Sequence, residues 1–412
     1  MNNLMMNRLK RLFVVCFVFM LIYQPPIAKL NVIHALVLVS IYMIYRCRNC
    51  ISLTKQYYIY ILLMFMNLVY YLIVSILSNN IMMAYSQFLF VVEIQICILA
   101  IYLYCTKNSI GIKNIILISA ILQSIIAIIC FFVQPIQEFL INVCIANGFP
   151  ETTSWFVGKR FFGLSSQLTY TMPITQTVIA IFCMDYYIGV EKKKRCLLGA
   201  GLLVFSAIIN ARTAIVILAM GIVFILIKYR GRISKKPQYL IGGGVATILL
   251  MGIIYLVSRD TYTWIVTAVK EIFLLFKGNH EEGYFQVLFD DFLFLPDEVG
   301  KLFWGSGISV FRGVERNSDV GYIIDIWMVG ILGMIIKYVS VIFPLFRMRK
   351  YEINVYFLIS VLLISNIKGI AFEANELLAL ISIYIVFMQN NIEQKHNTKY
   401  KVKNVEKASK TM

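Results

Sequence analysis

Charged side chains are scarce in this chain of 412 residues, which is 60% hydrophobic and only 14% Asp, Glu, Lys and Arg. Such a composition excludes a water-soluble fold of this length, because too little charge is present to cover its surface. A bilayer span needs about 20 apolar residues. The sequence contains twelve apolar segments that approach or exceed this length: 10–24, 27–45, 57–77, 81–105, 113–133, 166–188, 196–210, 213–229, 238–258, 319–346, 352–371 and 374–390.

Residues that could bind metals or form disulfides are also few, or lie where they cannot act together. The nine cysteines lie mostly in apolar segments or on the predicted cytoplasmic side, and only Cys144 is predicted outside, which excludes a disulfide framework. Cys47-x-x-Cys50 lacks the second Cys or His pair of a zinc site. The three histidines are widely separated: His34, His280 and His396. We therefore predict no metal and no cofactor.

Basic residues recur at every second connection between the apolar segments, and cytoplasmic loops are the ones that retain Lys and Arg. This pattern predicts an all-α polytopic membrane protein of about twelve transmembrane helices with both termini in the cytoplasm. The net charge of +17 is thus assigned to membrane orientation and not to nucleic acid. The basic clusters are Arg8–Arg11, Arg46–Lys55, Lys107–Lys113, Lys192–Arg195, Lys228–Lys236, Arg347–Lys350 and the tail 391–412.

Two connections on the predicted outer side are long, at 134–165 and 259–318, the second lying between helices 9 and 10. The domain organisation is thus one transmembrane domain, 1–390, followed by a basic cytoplasmic tail. Within the second loop, Thr263–Phe276 has the apolar spacing of an amphipathic helix. The acidic excess of this loop fits either simple solubility or an extracytoplasmic active site with polar substrates.

Two arginines stand at the predicted outer ends of apolar segments. Arg160 opens the sequence Arg-Phe-Phe-Gly-Leu, and Arg212 separates two segments within Asn-Ala-Arg-Thr. A charged side chain in or near the membrane costs free energy unless it faces a cavity, a partner or water. The planar guanidinium group of arginine is also well shaped to bind a phosphate through two hydrogen bonds. The alternative is that both side chains reach for lipid headgroups at the interface.

A third group lies at the end of the long loop. Gly305 and Gly307 allow close backbone approach to a ligand. They precede two arginines and a Ser-Asp-Val-Gly-Tyr stretch, in which Asp319 either carries chemistry or caps the following helix. The candidate residues of this group are Gly305, Gly307, Arg312, Arg316, Asp319 and Tyr322.

Five further charged residues also need an interpretation. Glu93, in the middle of a span, is either paired or lines a path. Lys337 is expected to reach for the cytoplasmic interface. Around the last outer turn, Lys368, Glu373 and Glu376 either pair with one another or rim a cavity.

Together these features resemble bacterial polysaccharide polymerases of the Wzy type, which polymerise the repeat units of O-antigen or capsule. The resemblance rests on about twelve spans, on long third and fifth outer connections, and on short signatures. These are Arg160–Leu164, Asn210–Thr213, Gly305–Gly307 followed by Ser318–Tyr322, and Gly330–Gly333.

The resemblance implies a metal-independent glycosyltransferase of the bacterial cytoplasmic (inner) membrane that joins oligosaccharides carried on undecaprenyl pyrophosphate. Its partners would be these lipid-linked sugars, membrane lipids, and chain-length regulator and flippase proteins. We expect Asp319, Arg212 and Arg312 to be catalytic. Substrate binding is expected for Arg160, Arg316, Gly305, Gly307 and Tyr322.

Two related functions compete with this interpretation. An O-antigen ligase would place a functional histidine in the large outer loop, but His280 is followed by Glu-Glu-Gly, which does not match that motif. A flippase for the same lipid-linked sugars would have two related halves and short outer loops. In addition, some polymerases place a glycine at a fixed distance after the arginine, whereas here the count from Arg160 reaches Thr171.

Overall fold

The computed structural model describes residues 2–26, 32–50, 53–166, 170–191, 194–233, 238–276, 284–311, 317–350 and 352–388. Within these ranges the chain is helical and contains no strand, as predicted. The helices are α1 (Asn2–Tyr23), α2 (Val32–Cys47), α3 (Lys55–Leu77), α4 (Ile81–Phe88), α5 (Gln95–Lys107), α6 (Ile112–Phe132), α7 (Gln134–Ala146), α8 (Thr171–Tyr186), α9 (Lys194–Ile208), α10 (Arg212–Lys228), α11 (Arg230–Ile233), α12 (Gln238–Val257), α13 (Arg259–Phe276), α14 (Tyr284–Asp290), α15 (Val299–Trp304), α16 (Gly321–Arg347), α17 (Asn354–Ser365) and α18 (Glu376–Met388).

A helix lies over each of the twelve apolar segments, which indicates a membrane protein. Among the residues that the structure describes, four helical stretches are long and apolar enough to cross a bilayer: Lys55–Leu77, Ile81–Lys107, Ile112–Phe132 and Gly321–Lys350. Shorter apolar helices, such as α2, α17 and α18, accompany them. The stretch from Ile81 to Lys107 contains a π-helical turn, Leu89–Ile94, that joins α4 to α5.

The core is formed around α8, whose residues from Thr171 to Ile181 are all buried. It packs against α9 and α10, while α1 packs against α6. The two long connections are partly helical. The first contains α7, and the second begins with α13, which confirms the amphipathic helix predicted over Thr263–Phe276.

The apolar segment 319–346 is not one continuous helix, contrary to prediction. Gly330 has φ of 69° and ψ of 178°, which interrupts α16 and separates a short half-helix, 321–329, from the longer part. A break leaves carbonyl groups without partners inside an apolar environment, where each must be satisfied by the protein. The amides of Ser306 and Gly307 bond to the carbonyls of Trp327 and Met328, at 2.9 Å and 3.0 Å.

The break brings together two charges that a straight helix would keep apart. Asp325 and Lys337 are 12 residues apart, or roughly 18 Å along a regular helix. In the folded-back arrangement Lys337 Nζ lies 2.6 Å from Asp325 Oδ1, and both side chains are fully buried. The expectation that Lys337 reaches the cytoplasmic interface is therefore wrong, because an acidic partner is present within the core.

Replacing one member of this buried pair should be strongly destabilising. Asp325→Asn leaves the Lys337 ammonium without its main partner, and such a loss typically costs about 3–5 kcal/mol. The lower part of that range is expected, because Glu373 lies 3.9 Å from Lys337 and compensates in part. Thermal unfolding of the protein in detergent should show a lowered Tm. The exposed Asp291→Asn is the control, and equal Tm values for the two variants would contradict the burial argument.

Candidate functional site

Asn210 joins the two arginine-containing motifs. Its side-chain amide is fully buried and bonds to both backbone groups of Phe161: Oδ1 accepts from the amide, and Nδ2 donates to the carbonyl at 3.0 Å. Asn210 lies two residues before Arg212, and Phe161 directly follows Arg160. The single side chain therefore holds the two arginines in one region, although they are 52 positions apart in the sequence.

The loop that carries Arg160 is held by two buried glutamines. Gln137 Nε2 donates to the carbonyls of Phe156 and Arg160, at 2.9 Å and 2.6 Å, and its Oε1 accepts from Gly158. Gln123 bonds in the same way to Phe162 and Leu164 on the other side. The position of the Arg160 backbone is thus defined by side chains of α6 and α7 and does not depend on a ligand.

Arg160 lies in a positive environment. Burial lowers the pKa of its guanidinium, and the nearby Arg212 lowers it further, whereas Asp319 raises it. These influences also place Arg212 and Asp319 each within electrostatic range of Arg160. The face of the Phe156 ring is 5.4 Å from the Arg160 guanidinium carbon. Because the positive charges reinforce each other here, an anion would be bound favourably.

Arg212 is the first residue of α10, where the helix dipole disfavours a cation. It is held by α13 of the long loop: Nη1 donates to Glu271 Oε2 at 3.0 Å, and the guanidinium lies 5.2 Å from the Trp264 ring. Its Nε is buried and has no hydrogen-bond partner among the described residues. Since a guanidinium has five N–H donors, the contact with Glu271 leaves Arg212 with donors for an anionic ligand, which would compete with Glu271 for its charge.

Asp319 is paired with a lysine that lies between α17 and α18. Lys368 Nζ is 3.2 Å from Asp319 Oδ2, and both side chains are about one-third exposed. Lys368 is also within electrostatic range of Arg160 and Arg212. The capping alternative for Asp319 is not observed, because Val320 occupies the N-cap position and its amide bonds to Ser318 Oγ.

Four segments distant in sequence and the α13 helix therefore contribute to one cluster. It contains three cations, Arg160, Arg212 and Lys368, and two carboxylates, Asp319 and Glu271. Two guanidinium groups near one another suit a diphosphate, which presents several anionic oxygens. A carboxylate beside that position suits proton removal from a hydroxyl group.

The remaining predicted site residues are not all in this cluster. The backbone at Gly305 and Gly307 packs against the break in α16 and against Ser78, and a Cβ at Gly305 would lie 2.5 Å from the Met328 carbonyl. Tyr322 donates its hydroxyl to the Leu363 carbonyl at 2.6 Å. Arg312 and Arg316 lie outside the described residues, as does His280.

The sequence analysis did not assign Glu271, Trp264 or Asn210 to the site. It grouped Lys368 with Glu373 and Glu376 at the last outer turn. Lys368 pairs with Asp319 and not with Glu373 or Glu376. Among these residues, only Asn210 could have been identified from the sequence. It stands beside an arginine at the end of an apolar segment, and a buried Asn side chain needs specific hydrogen-bond partners.

Other ionisable groups lie apart from the cluster. Glu93 is paired with His34, whose Nδ1 is 2.6 Å from Glu93 Oε2, while the other ring nitrogen contacts Tyr85. Over the part of the chain that the structure describes, no group of three or more His, Cys, Asp or Glu side chains could hold a metal ion.

No protein-family model, no curated protein and no solved structure matches this chain.

From the contact between Arg212 and Glu271, we predict that the Glu271 carboxylate competes with an anionic ligand for the Arg212 guanidinium. Glu271→Gln removes the competing charge and should tighten binding of inorganic pyrophosphate to the purified protein about tenfold, which corresponds to ~1.4 kcal/mol. Arg212→Gln should weaken it by at least as much. The control is Glu298→Gln, which breaks a comparable ion pair with Lys301. Calorimetry that shows the same affinity in all variants would contradict the site.

Proposed function

We propose that this protein is a polysaccharide polymerase that joins oligosaccharide repeat units carried on undecaprenyl pyrophosphate. The observation that carries the proposal is the convergence of Arg160 and Arg212 through Asn210, with Asp319 within electrostatic range. The resemblance of the signatures at these residues to Wzy-type polymerases supplies the substrate class. The paired arginine side chains suit a leaving group that is itself an anion.

The proposed reaction is displacement at the anomeric carbon of the donor chain. The acceptor hydroxyl oxygen forms the new glycosidic bond while the bond between the anomeric carbon and the pyrophosphate oxygen breaks. The hydroxyl proton passes to Asp319, and the electron pair of the broken bond leaves with the lipid pyrophosphate. Arg160 and Arg212 stabilise the charge that develops on this leaving group, as preorganised donors do in transition states.

Lys368 and Glu271 have supporting roles in this scheme. Lys368 holds the carboxylate of Asp319 in place by direct pairing. Glu271 satisfies Arg212 while the site is empty and is displaced by the donor pyrophosphate. The arginines Arg312 and Arg316 are proposed to add positive charge from the long loop, and Gly305, Gly307 and Tyr322 to border the acceptor.

The proposal includes the topology in which twelve helices cross the bacterial cytoplasmic membrane, both termini are cytoplasmic, and the cluster faces outward. In intact cells, a membrane-impermeant thiol reagent should modify Ser154→Cys, in the first long loop. Arg232→Cys, near the end of α11, should react only after permeabilisation. The parent protein measures the background from native cysteines. Reversed accessibility of the two positions would overturn the orientation.

Asp319→Asn and Arg212→Gln test the chemistry in reconstituted protein supplied with a lipid-linked repeat unit. Loss of a general base typically lowers the rate about 10²–10⁴-fold, and loss of a transition-state donor lowers it about 10²–10³-fold. Both variants should therefore lose the ladder of polymer products while remaining at normal abundance in the membrane.

Matched controls are Asp291→Asn and Arg259→Gln, whose side chains are exposed and outside the cluster. They should polymerise at the normal rate. A normal ladder from Asp319→Asn would exclude Asp319 as the base. If the wild-type protein makes no ladder but moves the lipid-linked unit across the bilayer, it is a flippase and the proposed function is wrong.

A further inference from the structure

A buried polar network lies beside the break in α16 and has no part in the reaction described above. Lys337 Nζ and the Tyr338 hydroxyl both contact Asp325, at 2.6 Å and 2.7 Å, and Asn366 Nδ2 donates to the Tyr338 hydroxyl. We propose that these four residues are positioning residues that set the geometry of the Asp319–Lys368 pair. The proposal rests on the proposed function in its assignment of Asp319 as the base.

Stability alone does not account for such a network. Taking two charges out of water costs several kcal/mol each, and a well-packed apolar pair of similar volume is often as stable or more so. Here both charges are completely buried, with side-chain exposures of 1% for Lys337 and 0% for Asp325. An apolar pair does not define a single orientation of the segments that carry it. Hydrogen bonds and ion pairs are directional, so they define one arrangement of the segments that they join.

The network joins the two segments that carry the members of the pair. Asp325 belongs to the half-helix 321–329, which begins two residues after Asp319. Asn366 lies two residues before Lys368, in the turn that follows α17, and its Oδ1 accepts from the amide of Ala371 at 2.8 Å. Each end of the network is therefore close in sequence to one member of the Asp319–Lys368 pair.

The same two segments are packed without space between them. A Cβ added to Gly321 would lie 2.3 Å from the Gly369 carbonyl and 2.6 Å from Asn366 Oδ1. The start of the half-helix thus contacts the turn backbone directly. In this close packing, a small shift of either segment changes the distance between Asp319 and Lys368, which is 3.2 Å in the structure.

Within this network, Tyr338 links Asp325 at one end to Asn366 at the other. Its hydroxyl donates to Asp325 Oδ2 and accepts from Asn366 Nδ2, while its ring stacks on Phe372 with centroids 4.1 Å apart. Tyr338→Phe therefore removes the link and retains the ring packing and both buried charges. This makes it a milder test than replacing Asp325 or Lys337, which threatens folding.

A matched control is available in Tyr384. Its ring stacks on Phe182, with centroids 5.7 Å apart, and its buried hydroxyl has no hydrogen-bond partner within the described part of the chain. Tyr384→Phe removes the same hydroxyl group from a partly buried, stacked tyrosine but breaks no such link. Any effect of Tyr338→Phe beyond that of Tyr384→Phe belongs to the network.

Hydrogen–deuterium exchange of the full-length protein in lipid nanodiscs tests the link without using activity. Tyr338→Phe should speed amide exchange in peptides that cover 366–371 at least severalfold, and Tyr384→Phe should leave them unchanged. Equal exchange in the two variants would overturn the proposal. This result is obtained even if the protein proves not to be a polymerase, so failure of the proposed function is distinguished from failure of the link.

The kinetic test asks whether the network acts through the pair. Tyr338→Phe should lower kcat about 10- to 100-fold, as displaced catalytic groups do. In a Lys368→Met background, whose pair is already broken, the same change should have no additional effect. Such non-additivity is the signature of groups that act together. Additive losses would show a merely structural role for the network and would contradict positioning.

Discussion

The arrangement of the cluster depends on the hydrogen bonds between Asn210 and the backbone of Phe161. Both polar atoms of this buried amide bond to Phe161, and Nδ2 also donates to the Ser206 carbonyl at 2.8 Å, so the amide defines a distance and an orientation. Arg160 and Arg212 extend from the two sides of this contact. Apolar packing reinforces this contact, since Phe161 lies in one buried cluster with Ile208 and Ile209.

Holding these cations together is unfavourable for the empty protein and favourable for a protein that binds an anion. Arg212 stands at a helix N-terminus, where the dipole repels it, and burial and Arg212 both lower the pKa of Arg160. Glu271 and Asp319 relieve part of this repulsion. Both carboxylates lie on segments that border the site. An anion that binds the arginines more strongly can therefore replace the contacts made by these carboxylates.

The sequence allowed the helical class, the long loops and two of the three clustered cations to be predicted, because each has a local signal. Hydropathy marks the apolar helices, and an arginine at the end of an apolar segment is conspicuous by itself. The partners of these arginines have no such signal. Glu271 and Lys368 are 59 and 49 positions from Arg212 and Asp319, and only the fold brings them into contact.

The break in α16 shows a second limit of sequence reasoning. Residues on both sides of Gly330 are apolar, so hydropathy alone describes one long span. The positive φ of Gly330 is a backbone property that composition does not encode, and with it Asp325 and Lys337 become partners. A lysine in an apolar segment fits either an interfacial position or a buried pair, and the choice depends on that one dihedral angle.

We propose that Arg160 and Arg212 form one binding site for the pyrophosphate of a lipid-linked sugar. Cryo-electron microscopy of the protein in nanodiscs with undecaprenyl pyrophosphate bound would test this proposal. We expect density for the two phosphates within hydrogen-bonding distance of both guanidinium groups, with the carboxylate of Glu271 displaced from Arg212. A pyrophosphate bound elsewhere, with the contact between Arg212 and Glu271 intact, would contradict it.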